Sequence, residues 1–419
     1  MQNTIYTFPS GLKLAHKKVD NIRSVSLGVF FGVGSANETA ENNGISHMIE
    51  HMMFKGTKNR SAFGIVEELE GNGIQVNAFT SKLMTCYYTI SIDEEIEKCF
   101  DVLSDILLNS TFDEKELEKE KSVVLEEISI SDDDPQDVCL ELLSSLYYDS
   151  HALARPILGS RENVSSFTRD MLLKYVNEHY TANSSCISVV GNISFDDAKS
   201  LVKKYFEGKL STIEVDWKDK LHTTKQNYGY KIKDVEQANF ALSFPSYPMR
   251  HENEPLIEII NVAFGGGMSS RLFQVIREEL GLAYSVYSYK NSYIDNGTFV
   301  IAVSTNPNSV EKALKAVKTE IDKLKENGFT KEEFERAKKQ LRGTFTIGQE
   351  SSMSMMRAIG RNALCLDKTF DVDELIDGVD NATLEDVNRV LGEIFDYDKM
   401  SLSYVGREIG FNALERFMN

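Results

Sequence analysis

A chain of 419 residues is longer than one hydrophobic core ordinarily serves, so two or more domains are expected. Its formal net charge of −18 argues against nucleic acid, whose phosphates call for basic surface, and suits either plain solubility or attraction of basic peptides. No apolar run approaches a membrane span, and the stretch Met1–Ser10 has the features of neither a secretory signal nor an Arg-rich organelle presequence.

In chain order, Ile5–Phe8 and Lys13–His16 flank the turn pair Ser10-Gly11 and read as a hairpin. Ser24–Phe31, with β-branched and aromatic residues, reads as a strand. A mostly polar connection from Gly32 to Gly44 then leads into His47-Met48-Ile49-Glu50-His51. Residues four apart share one helix face, so His47 and His51 can reach a single ion together, with Glu50 beside them. The pattern is H-x-x-E-H, the inverse of the H-E-x-x-H zinc helix. Zinc takes imidazole nitrogens and, in catalytic sites, keeps a position for water, whose proton a neighbouring carboxylate can accept. The stretch therefore reads as a metal-dependent hydrolase site. The plain alternative is a helix that happens to carry two of the chain's seven histidines. Ile45, Met48, Ile49 and Met52 weigh against it, because an apolar setting disfavours histidine and glutamate without partners.

Ser61–Asn72 follows at helical period, then strands at Gln75–Thr80 and Cys86–Ile92 joined by the Ser81–Thr85 turn. Ile96–Leu108 is an amphipathic helix, and Asp113–Ile130 a second one that opens on a sequence resembling a capping box, Asp113-x-x-Glu116. A tetrahedral zinc site needs a further protein ligand. Glu126-Glu127 lies in the apolar segment Val123–Ile128, where a carboxylate is less expected, and Glu120 falls on the face of Glu127 two turns earlier. The residues alone leave the choice between Glu126 and Glu127 open. Helices continue through Tyr147 and over Arg169–Tyr180, and Cys186–Val190 is a strand.

The second half repeats the first. Phe240–Phe244 stands for the Leu27–Phe31 strand, and Glu254–Phe264 for the histidine helix. Tyr284–Tyr289 and Gly297–Ser304 supply paired strands, Val310–Glu326 and Lys331–Arg342 the two following helices, and Leu402–Val405 the last strand. Same-order elements at one long offset mean a duplicated domain. With Phe54 matched to Phe264, the positions of His47, Glu50 and His51 become Ile257, Ile260 and Asn261. A fold that required those three polar residues would have kept them in both copies, so their loss supports chemistry in the first. The expected domains are residues 1–207 with the metal motif, a polar extended linker over 208–236 containing Trp217, and the duplicate over 237–419.

The sequence resembles the pitrilysin/insulinase family of inverzincin metallopeptidases, in particular its mitochondrial-processing-peptidase-like bacterial branch. The resemblance covers nearly the whole chain and rests on Gly44–Thr57, Asn77–Ser81, Glu118–Pro135, Pro156–Gly159 and Gly265–Tyr284. It implies that Glu127 completes the zinc site with His47 and His51, one Zn2+ per chain, and that Glu50 is the general base rather than a ligand. It also implies that Glu120 supports the metal helix or the catalysis. In the second half, Gly265–Arg271 reads by itself as a flexible loop before a helix, with Arg277 a surface charge, and no Gly-Lys-Ser/Thr follows to make it a phosphate loop. There the resemblance implies that Arg277 and Tyr284 serve substrate and the scissile carbonyl. It further implies that Asn77, Ala78 and Phe79 lie on an exposed edge strand to which an extended peptide adds.

The implied fold is α+β: two homologous domains, each an antiparallel β-sheet flanked by helices, forming a clamshell around a chamber. The implied function is zinc-dependent endopeptidase cleavage of peptides or unfolded segments. The rival is a non-catalytic peptide-binding or structural core subunit of the same fold, although its relatives generally show a broken motif. The family implies a homodimer, with a peptide or unfolded polypeptide as substrate. Five scattered cysteines without metal-ligand spacing fit reduced thiols and hence a cytoplasmic location.

Overall fold

The computed structural model describes residues 3–214, 226–408 and 417. The first half runs β1 (Thr4–Thr7), β2 (Lys13–Lys18), β3 (Ser24–Phe31), α1 (Ile45–Met53), α2 (Ala62–Gly71), β4 (Gln75–Thr80), β5 (Thr85–Ile92), α3 (Ile96–Asn109), α4 (Glu114–Asp133), α5 (Pro135–Tyr148), α6 (Arg161–Ser166), α7 (Arg169–His179), β6 (Ser185–Gly191) and α8 (Phe195–Tyr205). The second runs β7 (Asn227–Ile232), β8 (Ala238–Ser246), α9 (Glu254–Phe264), β9 (Ala283–Ser292), β10 (Gly297–Thr305), α10 (Val310–Asn327), α11 (Lys331–Gly348), α12 (Ser352–Leu366), α13 (Val372–Asn381), α14 (Leu384–Ile394) and β11 (Ser401–Gly406). Between α9 and β9, Phe273–Glu279 forms a π-helix.

The chain divides into two compact units that are not simply its two halves. One takes the chain up to Ile128, resumes at Arg155 and also includes Ile347–Asp371. The other includes Ser129–Ala154, runs up to Thr346 and resumes at Val372. Two segments therefore fold away from their own repeat: α5 belongs to the second unit and α12 to the first.

In the first unit the strand order is β1-β2-β6-β3-β5-β4. All neighbours are antiparallel except β2 and β6, so a sheet expected to be antiparallel carries one parallel pair. Strand alternation gives β3 two different faces. Val25, Leu27, Val29 and Phe31 join the core built with Met48, Ile49 and Met52 of α1 and Phe100 and Leu103 of α3. Ser26, Gly28 and Phe30 point the other way and meet α12. There Ser26 and Ser352 hydroxyls lie 2.9 Å apart, and the Ser188 hydroxyl donates to the Met356 carbonyl at 2.9 Å. A Cβ placed on Gly360 would fall 2.4 Å from the Phe30 ring, so this helix lies against the sheet only because the position has no side chain.

The second unit repeats the plan as β7-β11-β8-β10-β9, again antiparallel except for β11 with β7. With β8 matched to β3, this is the order β2-β6-β3-β5-β4, with α9 in the place of α1. Ile257 and Ile260, which stand where His47 and Glu50 do, are buried among Phe244, Phe264 and Phe299. Helix α5 covers the opposite face, packing Val138, Cys139 and Leu143 on Ala241, Val300 and Val405.

Part of the stretch expected to be a plain linker is a strand: β7 pairs with β11 from Asn227↔Ser401 to Ile232↔Gly406. Residues 215–225 of that stretch, Trp217 among them, lie outside the described residues. The loop expected from Gly265 runs to Ser270 and leads into the expected helix, which is a π-helix over Phe273–Glu279, whereas α6, α8, α12, α13 and α14 were not anticipated from the sequence. Among the described residues no helix is long and apolar enough to cross a membrane.

Candidate metal centre

Helix α1 has modest means of forming alone, since it is nine residues long and opens on Gly44 without a side-chain cap. Packing fixes it. Ile45, Met48, Ile49, Met52 and Met53 are all buried, worth on the order of 1.5–3 kcal/mol each, and they turn the other face of the helix outward. That face carries His47, Glu50 and His51, each partly buried.

Helix α4 supplies the facing carboxylates. Asp113 caps its start, accepting from the Lys115 amide at 2.9 Å and the Glu116 amide at 3.2 Å, in place of a full reciprocal box. Leu117, Glu120, Val124 and Ile128 are its buried stripe. Glu127 stands beside that stripe, partly buried, whereas Glu126 is exposed on the outer side. Val123, expected in an apolar setting, is 44% exposed.

One Glu127 oxygen stands 3.7 Å from His47 Nε2 and 3.6 Å from His51 Nε2. A ligand atom from each of the three residues lies within 4.8 Å of the others, and no other such group of three is found among the described residues. Two imidazole nitrogens and a carboxylate oxygen converging in this way suit a divalent ion of the zinc type. Burial, with the neighbouring His51 second, pushes the His47 imidazole down to about 4, which keeps it in the neutral form that ligates metal. The residues present fit the ion.

Around them stands a second set of contacts. His51 Nδ1 lies 3.0 Å from Glu120, a buried carboxylate that also receives Lys55 Nζ at 2.5 Å. Glu120 thus fixes the ring of His51 and leaves Nε2 toward Glu127, which is orientation rather than ligation. Glu50 accepts from the Thr80 hydroxyl at 2.5 Å. Burial pushes the Glu50 carboxyl up and the Glu127 charge adds to this, while the Thr80 hydrogen bond and His51 oppose it.

Thr80 ends β4, the outer strand of the sheet, which among the described residues has no strand partner beyond it. Asn77, Ala78 and Phe79 lie on this edge strand. The Ala78 amide donates to the Asn77 side chain at 2.8 Å. Phe79 is not a core aromatic: it is partly buried beneath the Arg357 guanidinium, 5.2 Å from its centroid. Arg357 also donates to the Tyr88 hydroxyl at 2.8 Å.

Arg277 and Tyr284 belong to the other unit, where they come together. Arg277 lies over Phe273 and Tyr284, 4.8 and 5.2 Å from the ring centroids, and Tyr284 is 72% exposed. The π-helix that carries Arg277 is a form often found at functional positions.

Three contributors had no role in the sequence reading: Thr80, Lys55 and Glu38. Lys55 follows His47 and His51 at the same four-residue interval, a legible signal. Thr80 and Glu38 reach the helix through space, and no spacing marks them.

The model for "Insulinase (Peptidase family M16)" matches residues 13–161, and that for "Peptidase M16 inactive domain" matches residues 166–341. A protein of Bacillus subtilis named "Uncharacterized zinc protease YmxG" is 42% identical over 398 residues, covering 94% of this chain and 96% of that protein. The chain belongs to peptidase family M16. A Rickettsia felis member, also named an uncharacterized zinc protease, is 37% identical over 92% of this chain and 93% of its own length. Among solved structures, an M16 inactive domain from Pseudomonas fluorescens matches with a TM-score of 0.92 at 20% identity, covering 98% of both chains. A protease from Helicobacter pylori matches at 0.91 and 22% identity, over 97% of this chain and 99% of its own. At those identities the structures speak for the fold. Family membership agrees with the resemblance carried by the inverted motif.

Proposed function

We propose that this M16 member is a zinc-dependent endopeptidase acting on peptides or unfolded polypeptide segments. The observation that carries the reading is the convergence of His47, His51 and Glu127 with Glu50 beside them on α1. His47, His51 and Glu127 hold one zinc ion per chain. When bound, the ion supplies Lewis acidity, which makes water a nucleophile at neutral pH and polarises a peptide carbonyl. Glu50, oriented by Thr80, takes the proton of the attacking water and passes it to the leaving amine. Glu120 holds His51 through Nδ1, and Lys55 holds Glu120. An extended peptide adds to β4 beside Asn77, Ala78 and Phe79, with backbone hydrogen bonds giving affinity and little side-chain selection. Arg277 binds its backbone and Tyr284 donates to the developing oxyanion. Cytoplasmic location and a homodimer are parts of the same proposal.

The test is digestion of a fluorogenic peptide library by the wild type and Glu50→Gln, each with and without a chelator. A general base contributes about 10²–10⁴-fold, so Glu50→Gln is expected to lose turnover on that scale while keeping its zinc. Chelation abolishes cleavage and added zinc restores it. Cleavage that is indifferent to both treatments would sink the proposal, and a zinc-loaded wild type that cuts nothing would favour the binding-subunit alternative.

A further inference from the structure

The metal helix lacks a cap of its own. Gly44, at the head of α1, has no side chain and a φ of +99°. The N–H groups at this end nevertheless have a partner in Glu38, which is 3% exposed. One of its oxygens accepts from the Gly44 amide at 2.8 Å and the Asn43 side chain at 2.7 Å, and the other accepts from the Ser46 amide at 2.8 Å. Every one of these contacts is a donor aimed at a carboxylate, at the helix end where peptide dipoles favour negative charge. A second segment closes from the other side. A Cβ on Gly44 would stand 2.7 Å from the Leu158 carbonyl oxygen, and one on Gly159 would stand 2.3 Å from that of Asn43. The first turn of α1 is held in place from both directions.

The two histidines depend on that turn unequally. His51 is tied from behind through Nδ1 to Glu120. His47 Nδ1 is buried and has no hydrogen-bond partner among the described residues. Among the described residues no hydrogen bond to Nδ1 holds the His47 ring from behind, so the placing of its Nε2 near Glu127 depends on its backbone, one residue after the Ser46 amide that Glu38 holds. We infer that Glu38 is a positioning residue of the metal centre, setting His47 Nε2 opposite Glu127 through the first turn of α1. The inference rests on the metal reading above and adds a residue that touches neither the ligands nor the substrate.

Cobalt(II) titrated into the metal-free protein tests it, because visible d–d bands report the ligand set independently of activity. Glu38→Gln keeps the size of the side chain but turns donors toward the amides. It is expected to bind Co2+ about 10–100-fold more weakly, the scale of a lost outer contact, with an altered band envelope and an unchanged far-UV circular dichroism spectrum. Tyr175→Phe removes the hydroxyl contact with Ser46 from the same turn and leaves the Glu38 bonds, so it keeps wild-type affinity. Wild-type affinity and spectrum in Glu38→Gln overturn the inference, as does an equal loss in Tyr175→Phe, which would mean general loosening of the turn. Should Glu38→Gln fail to fold, amide exchange in the wild type decides. Protected Gly44 and Ser46 amides support the clamp, and exchange at open-loop rates overturns it. A wild type that takes up neither Co2+ nor Zn2+ overturns the metal reading itself and this inference with it. Binding that is unaffected by Glu38→Gln overturns this inference alone.

Discussion

Glu126 and Glu127 are adjacent in sequence, and the backbone gives them different surroundings. Glu127 lies near both histidines, while Glu126 is turned to solvent on the charged side of α4. Glu127→Gln is expected to lose bound zinc on dialysis, and Glu126→Gln to retain it, as metal analysis of the two purified variants would reveal. Zinc loss in Glu126→Gln alone would reverse the assignment. The local chemistry could not make this choice, since both residues occupy one short segment and its apolar neighbours do not separate them. His47, Glu50 and His51 were legible because a single helix turn brings them together at fixed spacing. Glu38 and Thr80 were not, because a loop and a strand deliver them from outside that turn and residue type alone marks neither. Residues on one helix turn share a fixed spacing, whereas those delivered by a separate loop or strand share none.

At the scale of elements, the strands with an alternating or β-branched pattern were readable nearly to the residue, β3 and β4 among them. The failures share a cause. Helix α12 has a buried stripe that includes Met355, Met356, Ile359 and Ala363, yet it packs on a sheet made by distant sequence. Strand β7 is largely exposed, Tyr228, Tyr230 and Ile232 included, and is held by its parallel pairing with β11. The glycines at the α12 contact give a test of that packing. Gly360→Ala presses on the ring of Phe30, itself 1% exposed, and should cost about 1–3 kcal/mol in denaturant unfolding. At Gly28 the nearest obstacle is the sulfur of Met356, 2.3 Å from an added Cβ and on a flexible side chain, while the Phe30 ring stands farther off at 2.8 Å than it does from Gly360. Gly28→Ala is therefore expected to cost less, and a reversed order would mean that the helix does not lie tightly on this face.

For the whole molecule, charge and chain order are the governing facts. A net charge of −18 favours the approach of cationic peptides at low ionic strength and is screened by salt. Under the proposed function, kcat/KM for a lysine-rich peptide should fall as salt is raised while that for a neutral peptide of equal length holds steady. Parallel curves for the two substrates would assign the charge to solubility alone. The duplication itself was legible, since equivalent elements recur in order and the sheets repeat the order β2-β6-β3-β5-β4. The traded helices were not, because each repeat retains a helix at the same place in its sequence and gives no sign of which sheet will receive it.

That trade sets a timetable for synthesis. The last strand of the first sheet, β6, ends at Gly191, but the helix that covers its far face is not finished until Leu366. At ~5–20 residues per second the ribosome takes about 10–35 s to make the intervening chain. Through that interval Phe30 and its neighbours have no cover, and the nascent first unit is open to chaperones or to a second nascent chain. A fragment ending at residue 214 should stay in that condition, binding a hydrophobic dye and associating with itself, until a fragment carrying α12 is supplied.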